Sequence, residues 1–467
     1  MNCLRSPLQR QVRPDRGFVL VAVLVVVLLA SMVAISLLFT MRAEESATSS
    51  MASSEQAWAA AMSGVEEVMR VVKSAPAGTT EWLDDPKSFQ DRLVSEDGAD
   101  RWYFTVYSPA NEDAVRDMRY GVTDEASKLN LNAAHTPELL RLPRMTQPLV
   151  EALRDFIDND ASARSDGGEE EESADPGRLS YRVRNGALNT VEELLLVRGF
   201  TRSVVYGEDA NMNFRLDPNE DDGDQTPPAD NSDGRLDMGL SRLVTTFSYD
   251  LNTDARGRRR TNINDEHDAL PATDLPAALT NFVTLLRTNH FHFAEATDLL
   301  EASVKLKDYR GIEVEAPSGI GKAELPALLD SFTTSSEPQR KGLINVNTAS
   351  IAVLATVAGI DEPLAEAIVS ARRSISPERR STLAWLLQED VVDATQFKTI
   401  APHLTTRSLQ YSFHVVGFGV PSGRYRVLEV VVDLGSNKPR VAYLRDLTRL
   451  GLPFNLDTVS DKEATGG

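Results

Sequence analysis

The hydrophobic pattern begins with an uninterrupted apolar run. Residues 18–41 carry no charge and are rich in Val and Leu, enough to cross a bilayer as one helix. Beyond Arg42 the pattern turns amphipathic. Ala47, Met51, Ser54, Trp58, Met62, Val65, Met69 and Val72 recur at spacings of three and four, the signature of one helical face. Together the two stretches predict a single helix over 18–72, roughly 80 Å long at about 1.5 Å per residue. The Ser-rich stretch 46–54 is the one place that favours a break into an anchor and a separate surface helix.

Further on the period changes from helix to strand. Residues 411–418, 424–433 and 439–447 are rich in Val, Tyr and Phe and are separated by Pro421-Ser422-Gly423 and Gly435-Ser436-Asn437, which predicts three strands joined by tight turns. Residues 102–108 and 119–123 supply earlier strands. Between these groups lies a duplication with a constant offset of 215 residues: 129–134 (LNLNAA) returns in 343–349 (LINVNTA), and 148–153 (PLVEAL) returns as 363–368 (PLAEAI). Each copy reads as a short strand, an Asn-Ala turn that can cap a helix, and a helix pair. Residues 261–264 (TNIN) repeat only the opening, and 188–196 form a further helical segment after the first copy. The expected fold is α+β.

Charge orients the chain. Arg5, Arg10, Arg13 and Arg16 precede the apolar run against one acid, Asp15, so the amino terminus stays cytoplasmic and the bulk lies outside. A plain signal anchor satisfies these facts. The junction Arg16-Gly17-Phe18 adds to them, because a basic leader ending in glycine before an aromatic residue resembles the prepilin peptidase site of pilins and pseudopilins. The resemblance implies cleavage after Gly17 and N-methylation of Phe18. Most such subunits have Glu at the fifth mature position, paired with a neighbour's terminal amine; here it is Ala22. A carboxylate at that depth is costly without a partner. The net charge of −20 argues against nucleic acid as a main partner, and the single cysteine, Cys3, excludes an internal disulfide.

The strings SKLNLNAA, LNTVEELLLVRGF and INVNTAS, in that order behind a pilin-like anchor, are similar to the type II secretion protein K (GspK) family over most of the chain. In that family the missing Glu fits placement at the tip of the pseudopilus. The resemblance implies a pilin-like long helix and small antiparallel sheet, with two inserted SAM-like, helix-hairpin-helix-like all-α modules. It implies a non-catalytic minor pseudopilin that joins other minor pseudopilins in a tip complex, with secreted proteins or the outer-membrane channel as further contacts. The location implied is the inner membrane, with one span and a periplasmic bulk. The organisation expected is a leader at 1–17, the membrane helix at 18–41, pilin-like helix and strands at 42–128, and a first helical module at 129–264 with an acidic insertion at 207–240. A linking helical region at 265–342, a second module at 343–408, final strands at 409–449 and a tail at 450–467 complete it. A minor pilin of a type IV pilus is one alternative. A tethered DNA receptor is another, since the second module resembles the helix-hairpin-helix of competence receptors; its hairpin reads Gly359-Ile360-Asp361, with a carboxylate where a phosphate should sit.

Two acidic stretches have calcium-loop spacing. Asp209, Asn211, Asn213, Arg215, Asp217 and Glu220 occupy positions 1, 3, 5, 7, 9 and 12, with Arg215 offering its carbonyl and Glu220 closing bidentately. Position 6 is Phe214 rather than glycine, which makes the turn costly. A weaker loop, Asn231, Asp233 and Asp237, has Gly234 but ends on Leu240 instead of Glu. Calcium is the expected cofactor, with a structural role. A charge-rich linker is expected at 169–172. The histidines, His135, His267, His290, His292, His403 and His414, form no metal box, and no nucleophile elbow, phosphate loop or dinucleotide fingerprint is present.

Overall fold

The computed structural model describes residues 16–97, 100–110, 117–159, 162, 183–271, 275–307, 310–436 and 438–454. Most of the leader (1–15), the charge-rich segment 169–172 and the end of the tail (455–467) lie outside them.

One helix, α1 (Arg16–Ser74), runs through the anchor and beyond it. The Ser-rich stretch does not break it, because hydroxyls turn back onto the helix's own carbonyls: Ser53 donates to Ser49 O at 2.9 Å and Ser63 to Ala59 O at 2.9 Å. Such bonds satisfy the hydroxyl without recruiting the backbone elsewhere. Residues 19–49 are exposed all round. The buried seam starts at Ala57 and continues through Ala60, Ala61, Val65, Val68 and Val72. Sequence spacing placed the upper seam on Ala47 and Met51, but both are exposed, Met51 at 75%. Small residues line the contact because helix and sheet nearly touch there. A Cβ on Gly417 would sit 2.1 Å from the Ala57 carbonyl oxygen, and one on Gly64 2.7 Å from Val415.

Among the described residues, the sheet against which α1 packs has seven strands, all pairs antiparallel: β1 (Arg92–Asp97), β2 (Asp100–Pro109), β3 (Met118–Arg119), β4 (Thr123–Asp124), β5 (Gln410–Val420), β6 (Tyr425–Asp433) and β7 (Arg440–Asp446). Their order is β1-β2-β5-β6-β7, with β3 beside β2 and β4 beside β5. The first and last parts of the chain therefore meet in the middle, His414 opposite Tyr107 and Gly417 opposite Phe104. Both faces of β2 and β5 are covered. Phe104, Val106, Phe413 and Val415 face α1, while Tyr103, Tyr107, Val416 and Phe418 form a second apolar cluster. The three final strands and the one expected at 102–108 are present; the strand expected over 119–123 is split into β3 and β4 with residues 120–122 outside both, and β1, with few apolar residues, is an addition.

Between β4 and β5 the chain makes three units on one plan, and they are not purely α-helical. Each opens and closes with a two-residue parallel pair: Leu129–Asn130 with Val244–Thr245, Thr261–Asn262 with Phe332–Thr333, and Ile344–Asn345 with Leu404–Thr405. Each opening is Asn-x-Asn and each closing is Thr-Thr-x-Ser. The first Asn amide donates to the closing serine, to Ser248 O at 2.8 Å, Ser336 Oγ at 3.2 Å and Ser408 Oγ at 2.8 Å. The second Asn donates to the carbonyls of Leu188, Phe293 and Arg380, each at 2.9 Å. The segment expected as a linking helical region is thus a full third copy, and TNIN is its opening. Because only the first unit carries the acidic loop, the closing halves do not keep the offset that marks the openings. One apolar core runs through all three units.

Candidate functional site

The first acidic loop folds around its own carboxylate. Asp209, 3% exposed, accepts the N–H of Asn213 at 3.0 Å and that of Phe214 at 3.2 Å. Asp217 Oδ2 accepts the side-chain amides of Asn211 at 2.8 Å and Asn213 at 2.9 Å. Glu220 reaches back to the N–H groups of Ala210 at 3.0 Å and Asp217 at 3.1 Å. Asn213 Oδ1 accepts the N–H of Arg215 at 2.7 Å. The structure therefore brings together all six residues that the spacing selected.

Phe214 adopts the left-handed backbone that glycine usually supplies, with φ 61°, at a cost of about 1–2 kcal/mol. Its ring offsets that cost. It stacks on His414 of β5, centroids 4.3 Å apart at 27°, and meets Tyr107 of β2 edge-on at 6.0 Å. The residue that looked like a flaw in the loop is what seats the loop on the sheet.

Among the described residues, Asp209, Asp217 and Glu220 form no ion pair. Burial, then the nearby Glu220, pushes Asp209 up to about 7, and burial, reinforced by Asp217 and Glu208, raises Glu220. Among the described residues no group of three or more His, Cys, Asp or Glu is disposed to hold a metal. Any cation here must draw on the Asn oxygens and backbone carbonyls as well. An all-oxygen set is the kind that hard divalent ions take, and here these oxygens are the acceptors of the loop's own hydrogen bonds.

The second loop is largely satisfied within the protein. Asn231 and Asp233 meet at 3.1 Å, and Glu208 accepts the N–H groups of Asn231 and Asp237 at 3.3 and 3.1 Å. Asp237 is turned to Arg144, with which it forms an ion pair, and to the N–H of Gly239.

Around this loop, adjacent carboxylates tie the units to the sheet. Asp124 of β4 is fully buried. It accepts Asn345 Nδ2 at 2.8 Å, Thr348 Oγ at 2.6 Å and Ser408 Oγ at 2.6 Å, all from the third unit, and the N–H of Ala126 at 2.9 Å. Burial pushes it up to about 6 despite these four donors. Glu125 accepts Ser412 Oγ at 2.6 Å, Lys128 Nζ at 2.7 Å, and the hydroxyl of Thr245 in the first unit's closing strand. Arg445 of β7 adds a third tie, to Glu192 at 2.9 Å and Glu429 at 3.4 Å. A cavity of about 280 Å³ lies among these groups, with Asp124, Glu192, Asp209, His414 and Glu429 in its wall. Sequence reasoning missed Asp124, Glu125 and Arg445, which carry no local motif; the thrice-repeated Thr-Thr-x-Ser was the available signal.

The remaining expected residues are spread out. Gly17 and Phe18 lie in the first turn of α1 and Ala22 on its exposed stretch. His414 is buried and is held down to about 3 by desolvation, whereas His135, His267, His290 and His292 are exposed and His403 is half-buried. His290 pairs with Glu266. In the helix-hairpin-helix segment Asp361 caps its helix by accepting the N–H of Leu364 at 3.0 Å. A second hairpin, Gly319-Ile320-Gly321-Lys322, looks better suited to phosphate, yet Gly321 N–H donates to Glu324 at 2.9 Å and Lys322 pairs with Asp390. The donor and the cation that a phosphate needs are already used.

A long amino-terminal helix laid on an antiparallel sheet, with large insertions between the sheet's two halves, defines the class as a mixed α/β protein with one helix apolar enough to cross a membrane. Residues 122–206 match the family model described as type II secretion system (T2SS), protein K, and residues 339–405 match a helix-hairpin-helix motif. No curated protein sequence matches the chain. Among solved structures, the GspK-GspI-GspJ complex from the enterotoxigenic Escherichia coli type 2 secretion system is similar at 13% identity with a TM-score of 0.36, covering 87% of this chain and 98% of that one. Over the segment of the family match, the chain is GspK-like.

Proposed function

We propose that this chain is a minor pseudopilin of a type II secretion system and sits at the tip of the pseudopilus. The observation that carries the reading is the protein K match at 122–206 in a chain whose α1 leaves an apolar span and packs on an antiparallel sheet. Processing falls between Gly17 and Phe18, and the mature helix assembles with other minor pseudopilins. With Ala22 in place of an acid, the subunit offers no carboxylate to a neighbour's amine above it. The three units give it a lateral bulk that could not repeat along a filament, and they face the periplasm. Its role is mechanical and recognitional, without catalysis. Calcium in the loop from Asp209 to Glu220 acts as a structural staple, the chain having no disulfide. The helix-hairpin-helix match does not favour a DNA receptor, because the hairpin groups at Asp361 and at Gly321 to Lys322 are engaged within the protein.

The test is intact mass and amino-terminal sequencing of membrane-extracted protein made with and without a prepilin peptidase. A mature chain starting at N-methyl-Phe18 only when the peptidase is present supports the reading. An unprocessed Met1, or cleavage elsewhere, removes the pseudopilin class and leaves a plain anchored protein.

A further inference from the structure

The middle unit carries a two-stranded antiparallel hairpin, Ser303–Lys307 against Glu313–Pro317, and among the described residues neither strand pairs with any other. The register sets Lys307 opposite Glu313 and Lys305 opposite Glu315 on one face, with Leu306 opposite Val314 and Val304 opposite Ala316 on the other. At its base the apolar face is seated: Val304 is 7% exposed, and Leu306 and Ala316 pack on the core. Nearer the tip it overhangs, with Val314 49% exposed. Ser303–Lys307 is thus the inner strand, and in the outer strand every residue except Ala316 is exposed.

A lone two-stranded ribbon is marginal in water, and a sheet edge is a template for a further strand. The inner strand carries two lysines, a common guard against such pairing; the outer strand carries Glu313 and Glu315, which repel acidic strands but not basic ones, and Pro317, which limits pairing to the residues before it. Glu313 and Glu315 enter no ion pair or side-chain hydrogen bond with a described residue. A strand added beside them would set alternate side chains next to those carboxylates and the intervening ones next to Val314. Cations are favoured at the first positions and apolar groups at the second, while like charges placed opposite destabilise.

We propose that the outer strand Glu313–Pro317 is a strand-addition site for an extended segment of a partner protein in which basic residues alternate with apolar ones. The net charge of −20 draws such a segment in. This surface is independent of the acidic loop and of the secretion reading.

The test is hydrogen exchange of the full-length protein in detergent micelles, with blocked synthetic peptides that alternate Lys and Val or Glu and Val. The lysine peptide is expected to slow exchange at residues 313–316 about fivefold or more, and the glutamate peptide to leave it unchanged. The double variant Glu313→Gln with Glu315→Gln, altering only exposed side chains and placing no like charge opposite Lys307 or Lys305, is expected to lose most of the slowing by the lysine peptide with its circular dichroism unaltered. Slowing by neither peptide overturns the proposal. So does protection spread over the acidic surface instead of the strand, or undiminished protection of the double variant by the lysine peptide.

Discussion

Asp124 accepts a hydrogen bond from Ser408, 284 residues further along the chain, at 2.6 Å. That contact joins the last strand before the three units to the serine that closes the third, and the same oxygen also holds Asn345 and Thr348 from the unit's opening. One carboxylate thereby fixes both ends of a unit to the sheet.

Asp124→Ala removes the acceptor of four hydrogen bonds, three from the third unit and one from the N–H of Ala126, and is expected to cost about 2–4 kcal/mol. Ser408→Ala removes one donor to Asp124 and one of the two acceptors of Asn345 and should cost about 1 kcal/mol. Urea unfolding compares the two, and hydrogen exchange should localise the loosening to residues 344–348 and 404–408.

Gly417→Ala puts a methyl 2.1 Å from the Ala57 carbonyl oxygen, and backbone cannot yield as a side chain can. The loss is expected to reach about 3 kcal/mol or more, with α1 opened to protease. Gly186 has open space where a Cβ would go, so Gly186→Ala should shift the unfolding midpoint by less than about 0.5 kcal/mol equivalent.

Calcium is expected to raise the melting temperature of the wild-type protein, with an affinity on the order of 0.1–1 mM, and to have no effect on Asp209→Ala. The sign of the pH dependence follows from the raised Asp209. Its folded value, about 7, lies above the unfolded one near 4, so the cation-free fold is favoured at low pH and loses that advantage as pH rises to about 7. Protons and calcium compete for the same carboxylate. The thermal shift produced by calcium should therefore be small near pH 5 and approach its full size above about pH 7, as differential scanning at several pH values would show.

His414 is held down to about 3, so its ring stays neutral at physiological pH, and its Nδ1 has no hydrogen-bond partner among the described residues. His414→Phe keeps a ring beneath Phe214 and removes the unsatisfied nitrogen. Stability is expected to stay level or rise by about 1 kcal/mol, and NMR of the wild type should show no titration of this ring between about pH 5 and 8.

Elements carried by apolar period were legible in the sequence. The anchor, the strands β5 to β7 and the openings at Leu129–Asn130 and Ile344–Asn345 all follow it. The middle unit was legible only at TNIN, because the bonds that define it join Asn262 to Ser336, and polar residues at that separation leave no period. The upper seam of α1 was misplaced for a related reason. Weight was given to Met51 and Trp58, yet the contact is so close that Ala57, Ala61 and Gly64 make it, with Trp58 and Met62 packed at its side. In the acidic loop the spacing found the donors, but only the fold shows why Phe can stand at position 6: its partners Tyr107 and His414 come from strands at opposite ends of the sequence.

The exposed stretch of α1 below the sheet has a consequence for reach. Charged residues resume at Arg42 and residues 42–49 are exposed all round, whereas Ser54 already accepts hydrogen bonds from Arg426 of β6, which at about 1.5 Å per residue leaves some 12 Å of bare helix. On the proposed reading, with the apolar part of α1 in a bilayer, a rod of that length would work as a spacer that holds the folded body off the lipid headgroups and delivers sideways forces on it through a single lever arm.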